Sequence, residues 1–113
     1  MIIKKTLKLS TLEYYDKHLN VINPFLPVKL TGKEIEVLSH LMSFTGTISE
    51  DRFGTTARNI VKKRLNISNA GISNYISSLK KKGFINDKNE ILSILFPNDK
   101  EQSYQFTLLN YES

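Results

Sequence analysis

The chain has no cysteine, only two histidines, and no apolar run approaching the roughly 20 residues that a membrane span requires. Without cysteine there can be no disulfide bond and no thiolate metal site. His18 and His40 are far apart in the sequence and lack a supporting cluster of ligands, so we expect no metal and no cofactor. The first ten residues, MIIKKTLKLS, lack the apolar core of a secretion signal. We therefore expect a cytoplasmic protein without a membrane segment.

The sequence also lacks a recognisable catalytic centre. It contains no glycine-rich phosphate loop and no nucleophile with a neighbouring base. Glu34 and Glu36 are two positions apart in a predicted helix, so their side chains diverge and make a poor acid–base pair. Glu50 and Asp51 fall in a predicted loop without a histidine partner. We predict that the chain is not an enzyme.

The chain has 113 residues, a length that fits one domain, and a net charge of +5. Its positive charge is concentrated in the middle of the sequence. Residues 1–30 carry five basic and two acidic side chains, residues 31–83 nine and four, and residues 84–113 two and five. The middle segment is therefore strongly basic, and the last segment is acidic. Because basic surfaces attract phosphate, this distribution favours nucleic acid as a partner of residues 31–83.

Residues 1–29 predict an N-terminal extension made of a strand and a short helix. Residues 2–9 alternate loosely between polar and apolar side chains, as strands do. Ser10 and Glu13 fit a capping box at the start of a helix of about ten residues. Two prolines then break the helical pattern, so we expect residues 23–29 to form a connector. We expect three aromatic side chains to pack this extension onto the main domain, with a dimer seam as the alternative: Tyr14, Tyr15 and Phe25.

Residues 30–113 predict one α+β domain that is mostly α, with three helices followed by a β-hairpin. Thr31 and Glu34 fit a second capping box, and the apolar residues after them recur at helical spacing. Residues 44–54 contain two glycines and several polar residues, so we expect a loop there. The second helix is expected to be capped at residue 55 or 56 and to end near residue 66.

The third helix is marked at both ends. Ser68 is a suitable N-cap, and Gly83 lies where helices commonly end in a left-handed conformation. An apolar stripe runs between them: Ile72, Tyr75, Ile76 and Leu79. Short runs of apolar residues then predict strands at 84–85, 90–96 and 103–109, with a polar tip between the last two. We expect these strands to form a wing.

The opposite side of the third helix carries short polar side chains between two basic segments. Asparagine can form two hydrogen bonds with an adenine edge, and serine can bond to bases or phosphate. The candidate base-contacting residues are Asn69, Ser73, Asn74 and Ser77. Basic side chains at either end would contact phosphates and hold the helix in a groove. The candidate phosphate-contacting residues are Lys62, Lys63, Arg64, Lys80, Lys81 and Lys82.

Simpler explanations exist for the same residues. The polar side chains could be an ordinary solvated helix face, and Lys80–Lys82 could complement the helix dipole. Tyr75 fits a core position with its hydroxyl at the edge. Arg52 and Arg58 could contact phosphate or could equally be solvated surface.

Residues 65–85, LNISNAGISNYISSLKKKGFI, resemble the motif of bacterial and phage winged helix-turn-helix regulators, such as the MarR-like and GntR-like families. The matching positions are Leu65, Ile67, Ser68, Ser73, Tyr75, Ile76, Leu79, Gly83, Phe84 and Ile85. The resemblance extends over about residues 30–110. It implies a three-helix core with a β-hairpin wing, and a helix at about residues 69–82 that contacts bases in the DNA major groove.

Two features depart from the family pattern. Lys62 occupies a position where many relatives have a small residue, which affects the expected docking angle. The predicted wing tip carries Asp99 and Glu101 beside Lys100, and acidic side chains would repel phosphate. Such a wing would avoid DNA or face a protein.

We therefore predict a small transcription regulator that binds double-stranded DNA in a sequence-specific manner. One copy would contact only part of a groove, so we expect a homodimer or a larger assembly, with the N-terminal 30 residues as the candidate dimer element. The alternative is a winged-helix protein-docking module in a phage packaging, replication or virion assembly, which the acidic C-terminal segment favours. A fragment of a replication initiator is a third hypothesis.

Overall fold

The computed structural model describes residues 5–111 and contains five α-helices in that range. They are α1 (Thr11–Ile22), α2 (Gly32–Ser43), α3 (Thr47–Glu50), α4 (Thr55–Leu65) and α5 (Asn69–Lys81). A 3₁₀ turn at Asn23–Phe25 follows α1, and a second at Ser93–Leu95 lies beyond α5. The longest helix has 13 residues. Within the described range, every helix is too short or too polar to cross a membrane.

Helix boundaries follow the capping signals closely. Ser10 caps α1 and Thr31 caps α2, each in a complete capping box, and Ser68 caps α5. These three predictions are confirmed. At Gly83 the backbone is left-handed, with φ of 84°, and ends α5 as predicted. The predicted cap of α4 was wrong, because Gly54 is the N-cap rather than either threonine after it, and no side chain bonds there.

Helix α2 is the centre of the fold and packs against α1, α4 and α5. Eight of its 12 residues are buried, as expected for a helix surrounded on most sides. The core joins side chains from all four helices and from the segment after α5, including Leu19, Leu38, Leu41, Val61, Leu79 and Leu95. The remaining surface of α4 and α5 faces outward.

The predicted β-hairpin wing is absent, and residues 5–111 contain no sheet. A single bridge pairs Ile85 with Ile91. Strand pairing does not extend beyond this region, because the 3₁₀ turn at Ser93–Leu95 interrupts the second predicted strand. That turn places Leu95 in the core with 1% of its surface exposed. Burial of this leucine bends the chain away from the direction that a wing would need, so the α+β prediction is replaced by an all-helical fold.

The third predicted strand, residues 103–109, lies along the N-terminal helix instead of pairing with a neighbour. Tyr104 stacks on His18 with ring centroids 5.8 Å apart, and Phe106 stacks on Phe25 at 5.5 Å. Packing on residues 18–25 therefore explains Tyr104 and Phe106, whereas Leu108, the next apolar residue in the alternation, is 95% exposed. Since the wing is absent, its predicted acidic tip does not exist as such either.

Two smaller predictions also changed. Residues 5–9 form no strand, and the rest of that predicted strand lies outside the described residues. The predicted loop at 44–54 contains the short helix α3. The predicted packing of aromatic residues is confirmed for two of the three: Tyr15 meets Phe96 edge-on at 6.1 Å, and the Tyr14 hydroxyl donates to the Asn98 carbonyl at 2.7 Å. Phe25 stacks on Phe106 and stays 68% exposed.

Candidate nucleic-acid interface

Helices α4 and α5 are joined by a tight turn of three residues, 66–68. Asn66 ends α4 in the left-handed conformation, with φ of 53° and ψ of 51°. The Ile67 amide then donates to the Lys62 carbonyl at 3.1 Å, which closes the end of the helix. Ser68 caps the next helix at once by accepting a hydrogen bond from the Gly71 amide. This local chemistry lets two helices pack against each other and against α2 with almost no connecting loop.

The four predicted base-contacting residues lie on one exposed side of α5. Their spacing follows the helix repeat, while the buried stripe of Ile72, Ile76 and Leu79 faces the core. The exposed residues are Asn69, Ser73, Asn74 and Ser77. Neither Asn74 nor Ser77 makes a side-chain hydrogen bond within the described part of the chain. Their donors and acceptors are therefore open to solvent.

Two basic side chains of α4 reach across to this polar face. The Lys62 ammonium donates to Oδ1 of Asn69. One turn earlier, Nη1 of Arg58 donates to Oγ of Ser73 at 3.2 Å, while its Nε donates to the Phe53 carbonyl at 2.7 Å. The Lys62 side chain thus lies across the junction between α4 and α5. The sequence left Arg58 open between a phosphate contact and solvated surface, and its spacing of four residues from Lys62 places both on the same helix face.

Four further basic residues are exposed near the ends of the two helices. Lys63 and Arg64 lie in the last turn of α4, and Lys80 and Lys81 lie in the last turn of α5. Lys62 and Arg58 add positive charge beside the polar face of α5, and these four residues add it at the C-terminal ends of both helices. We refer to these ten side chains as the α4–α5 surface: Arg58, Lys62, Lys63, Arg64, Asn69, Ser73, Asn74, Ser77, Lys80 and Lys81.

Lys82 differs from its neighbours because its ammonium is held inside the protein. It forms an ion pair with Glu34 and also donates to the Lys29 carbonyl at 2.9 Å. Only 22% of its side chain is exposed. A phosphate contact at this position would compete with the ion pair, so we leave Lys82 out of the α4–α5 surface.

Glu34 is the buried partner that fixes this end of α5. Its carboxylate accepts hydrogen bonds from the Thr31 amide at 2.8 Å, from Oγ of Ser78 at 2.6 Å and from Lys82. Burial by itself would raise the pKa of Glu34, but the bonds from Lys82, Ser78 and Thr31 outweigh it and lower the pKa to about 2. The capping box was predictable from the sequence, whereas Ser78 and Lys82 are too distant in sequence to have been recognised as partners.

Arg52 stabilises the fold rather than lying free on the surface. Its Nη1 donates to the carbonyls of Leu41, Met42 and Phe44 at 2.8, 3.1 and 3.0 Å. Its guanidinium also lies 5.8 Å from the centre of the Phe96 ring. Arg52 thus caps the C-terminal end of α2, whose last carbonyls have no partner in the helix.

Among residues 5–111, no three histidine or carboxylate side chains come together as a metal site would require. Comparison of the chain with protein-family models, with curated proteins and with solved structures found no match. Functional inference therefore depends on the chain's own residues.

Proposed function

We propose that this chain binds double-stranded DNA in a sequence-specific manner and acts as a small transcription regulator. The observation that carries the proposal is the composition of the α4–α5 surface, in which an uncharged polar helix face is surrounded by basic side chains. Phosphate contacts position a protein on DNA, and polar contacts to base edges provide specificity. Helix α5 would enter the major groove, in the manner that the sequence resemblance implies.

The contacts described above suggest different roles for the polar residues. Asn74 and Ser77 are open to solvent and would contact base edges directly. Asn69 and Ser73 each accept a hydrogen bond from a basic side chain of α4. On DNA, Lys62 and Arg58 would turn towards phosphates, and Asn69 and Ser73 would become available to bases or backbone.

A DNA-binding titration provides the test. Fluorescence anisotropy with a random-sequence duplex should show binding that weakens steeply as salt increases, since each neutralised phosphate releases a counterion. Selection of bound sequences from a random DNA pool should then yield a consensus. Binding without any enriched sequence would contradict the specific-regulator role and leave general DNA binding.

A protein-docking module is the second candidate, and the region after α5 favours it. This region has a net negative charge, and the Ile94 side chain is 79% exposed beside the buried Leu95. Exposed apolar side chains next to acidic groups are poorly suited to DNA and well suited to a protein partner. Absence of salt-sensitive binding to any duplex would favour this candidate.

A further inference from the structure

The last described residues, 101–111, form an arm that is stretched along the N-terminal helix. No helix, strand or turn occurs in this arm. Tyr104 and Phe106 contact His18 and Phe25, which are seven positions apart, whereas the two arm residues are separated by two. Seven helical residues span on the order of 10 Å, and two residues span at most about 7 Å when fully extended. The two contacts therefore favour a nearly extended arm backbone alongside residues 18–25.

The main chain of residues 104–109 in this arm forms no hydrogen bond within the described residues. The arm from 102 to 111, QSYQFTLLNY, also contains no charge, proline or glycine. Those are the residues by which proteins commonly prevent an open strand edge from pairing. An extended, uncharged segment with open hydrogen-bonding edges is suited to pairing with another strand.

The arm also exposes more apolar surface than its contacts with α1 require. Leu108 is 95% exposed, Leu109 67% and Tyr111 89%. Phe106 and Phe25 stay more than half exposed although they stack on each other. Together these five side chains expose roughly 700 Å² if an aromatic side chain presents about 200 Å². That area is close to the roughly 800 Å² that each partner buries in a standard stable interface.

We propose that two copies of the chain pair through their arms, with residues 104–109 forming an antiparallel two-stranded ribbon across a two-fold axis. A second copy fits because an antiparallel pair of identical strands satisfies that symmetry. Residues 104–109 carry no charge, so pairing them brings no like charges together, and the exposed apolar area matches what a dimer must bury. The proposal is independent of DNA binding. It places the dimer contact at the C-terminal arm and Phe25, rather than in the N-terminal residues alone.

Proline substitution tests the backbone pairing directly. Thr107→Pro and Leu108→Pro each remove one amide, and adjacent amides of an extended chain point to opposite edges. Both side chains are exposed, so little packing is lost. Sedimentation at concentrations up to about 100 μM should show a wild-type dimer. At least one proline variant should weaken dimerisation tenfold or more, whereas Thr107→Ala should not. A monomeric wild type, or a dimer unaffected by both prolines, would overturn the proposal.

Cysteine cross-linking provides a second readout that does not depend on weakening the arm. The chain has no native cysteine, so a single cysteine introduced at each position from 104 to 109 reports only on contact between copies. Near a two-fold axis, opposing Cβ atoms are about 5 Å apart, close enough for a disulfide after small adjustments. We expect rapid cross-linking at one or two adjoining positions. The control is Asn59→Cys on the exposed side of α4, and equal rates at all seven positions would contradict arm pairing.

Discussion

Glu34 and Lys82 form an ion pair that joins the first turn of α2 to the residue immediately after α5, with the carboxylate almost fully buried. The pair sets the position of the C-terminal end of α5 relative to the central helix. Because Ser78 donates to the same carboxylate, two successive turns of α5 are held by one acidic side chain. The orientation of the proposed DNA-contacting helix therefore depends on a group that titrates.

Acid should destabilise the protein through Glu34. Its pKa is about 2 in the folded chain against an ordinary value of 4.5, so its stabilising contribution is complete above about pH 5 and is lost as the pH falls towards 2. The contribution is on the order of 3 kcal/mol. Urea unfolding at a series of pH values measures it. The stability difference between wild type and Glu34→Gln should shrink across this range, and a difference independent of pH would contradict the assignment.

Lys82 and Lys81 should behave differently although they are adjacent and chemically identical. Lys82→Ala leaves the Glu34 carboxylate buried without its cation, and we expect a loss of about 2 to 4 kcal/mol in the free energy of unfolding. Lys81→Ala alters an exposed side chain, so unfolding should change by less than about 0.5 kcal/mol. Urea titration of both variants measures this, and equal effects would show that the ion pair has little influence on stability.

The same two lysines also separate stability from DNA binding. Lys81→Ala should weaken binding to every duplex and reduce the slope of log affinity against log salt by about 1. Lys17→Ala on α1 removes the same charge away from the α4–α5 surface and serves as the matched control. If both variants reduce affinity equally, net charge rather than a defined surface governs binding.

His18 should hold the arm best in its neutral form. Burial lowers the pKa of His18, and a hydrogen bond to the Leu95 backbone offsets this effect only in part. The Nδ1 atom of His18 shares a hydrogen bond of 2.6 Å with the Tyr104 hydroxyl. Because the pKa of His18 is lower in the folded chain than its ordinary value near 6.5, the neutral histidine stabilises the fold fully above pH 6.5. This stabilisation is lost as the pH falls below 6.5. An NMR titration should therefore place the midpoint of His18 below 6.5. Tyr104→Phe, which preserves the ring, should alter that midpoint, and an unchanged midpoint would argue against the contact.

Features that depend on near neighbours in sequence were predictable. The capping boxes at Ser10 and Thr31 involve residues three positions apart, so a sequence pattern contains all the chemistry needed. The absence of the wing was not predictable from the sequence. Alternating apolar residues are typical of any extended segment that packs one side against the protein. In the arm, Tyr104 and Phe106 contact His18 and Phe25 rather than a neighbouring strand, and Leu108 is 95% exposed. The spacing of apolar residues in the sequence cannot distinguish an extended segment that packs on other side chains from a strand in a sheet.

The candidate site was only partly predictable for a related reason. Exposure of the polar face of α5 follows from helix periodicity, and the structure brings those residues together. By contrast, the internal partner of Lys82 is 48 positions away in sequence, so Lys82 could not be told apart from Lys80 or Lys81. The links from Arg58 and Lys62 to α5 likewise depend on how the two helices pack.

Asn74 should determine part of the DNA sequence preference. Its amide is exposed, makes no side-chain hydrogen bond within residues 5–111, and lies on the polar face, where it could form two bonds to an adenine edge. Asn74→Ala should cost about 1 to 3 kcal/mol on the selected duplex and little on random DNA. Asn20→Ala, an exposed asparagine on α1 away from the α4–α5 surface, is the matched control and should leave both affinities unchanged. A parallel loss on both duplexes would mean that Asn74 contacts the backbone. No loss on either would contradict a base contact by Asn74.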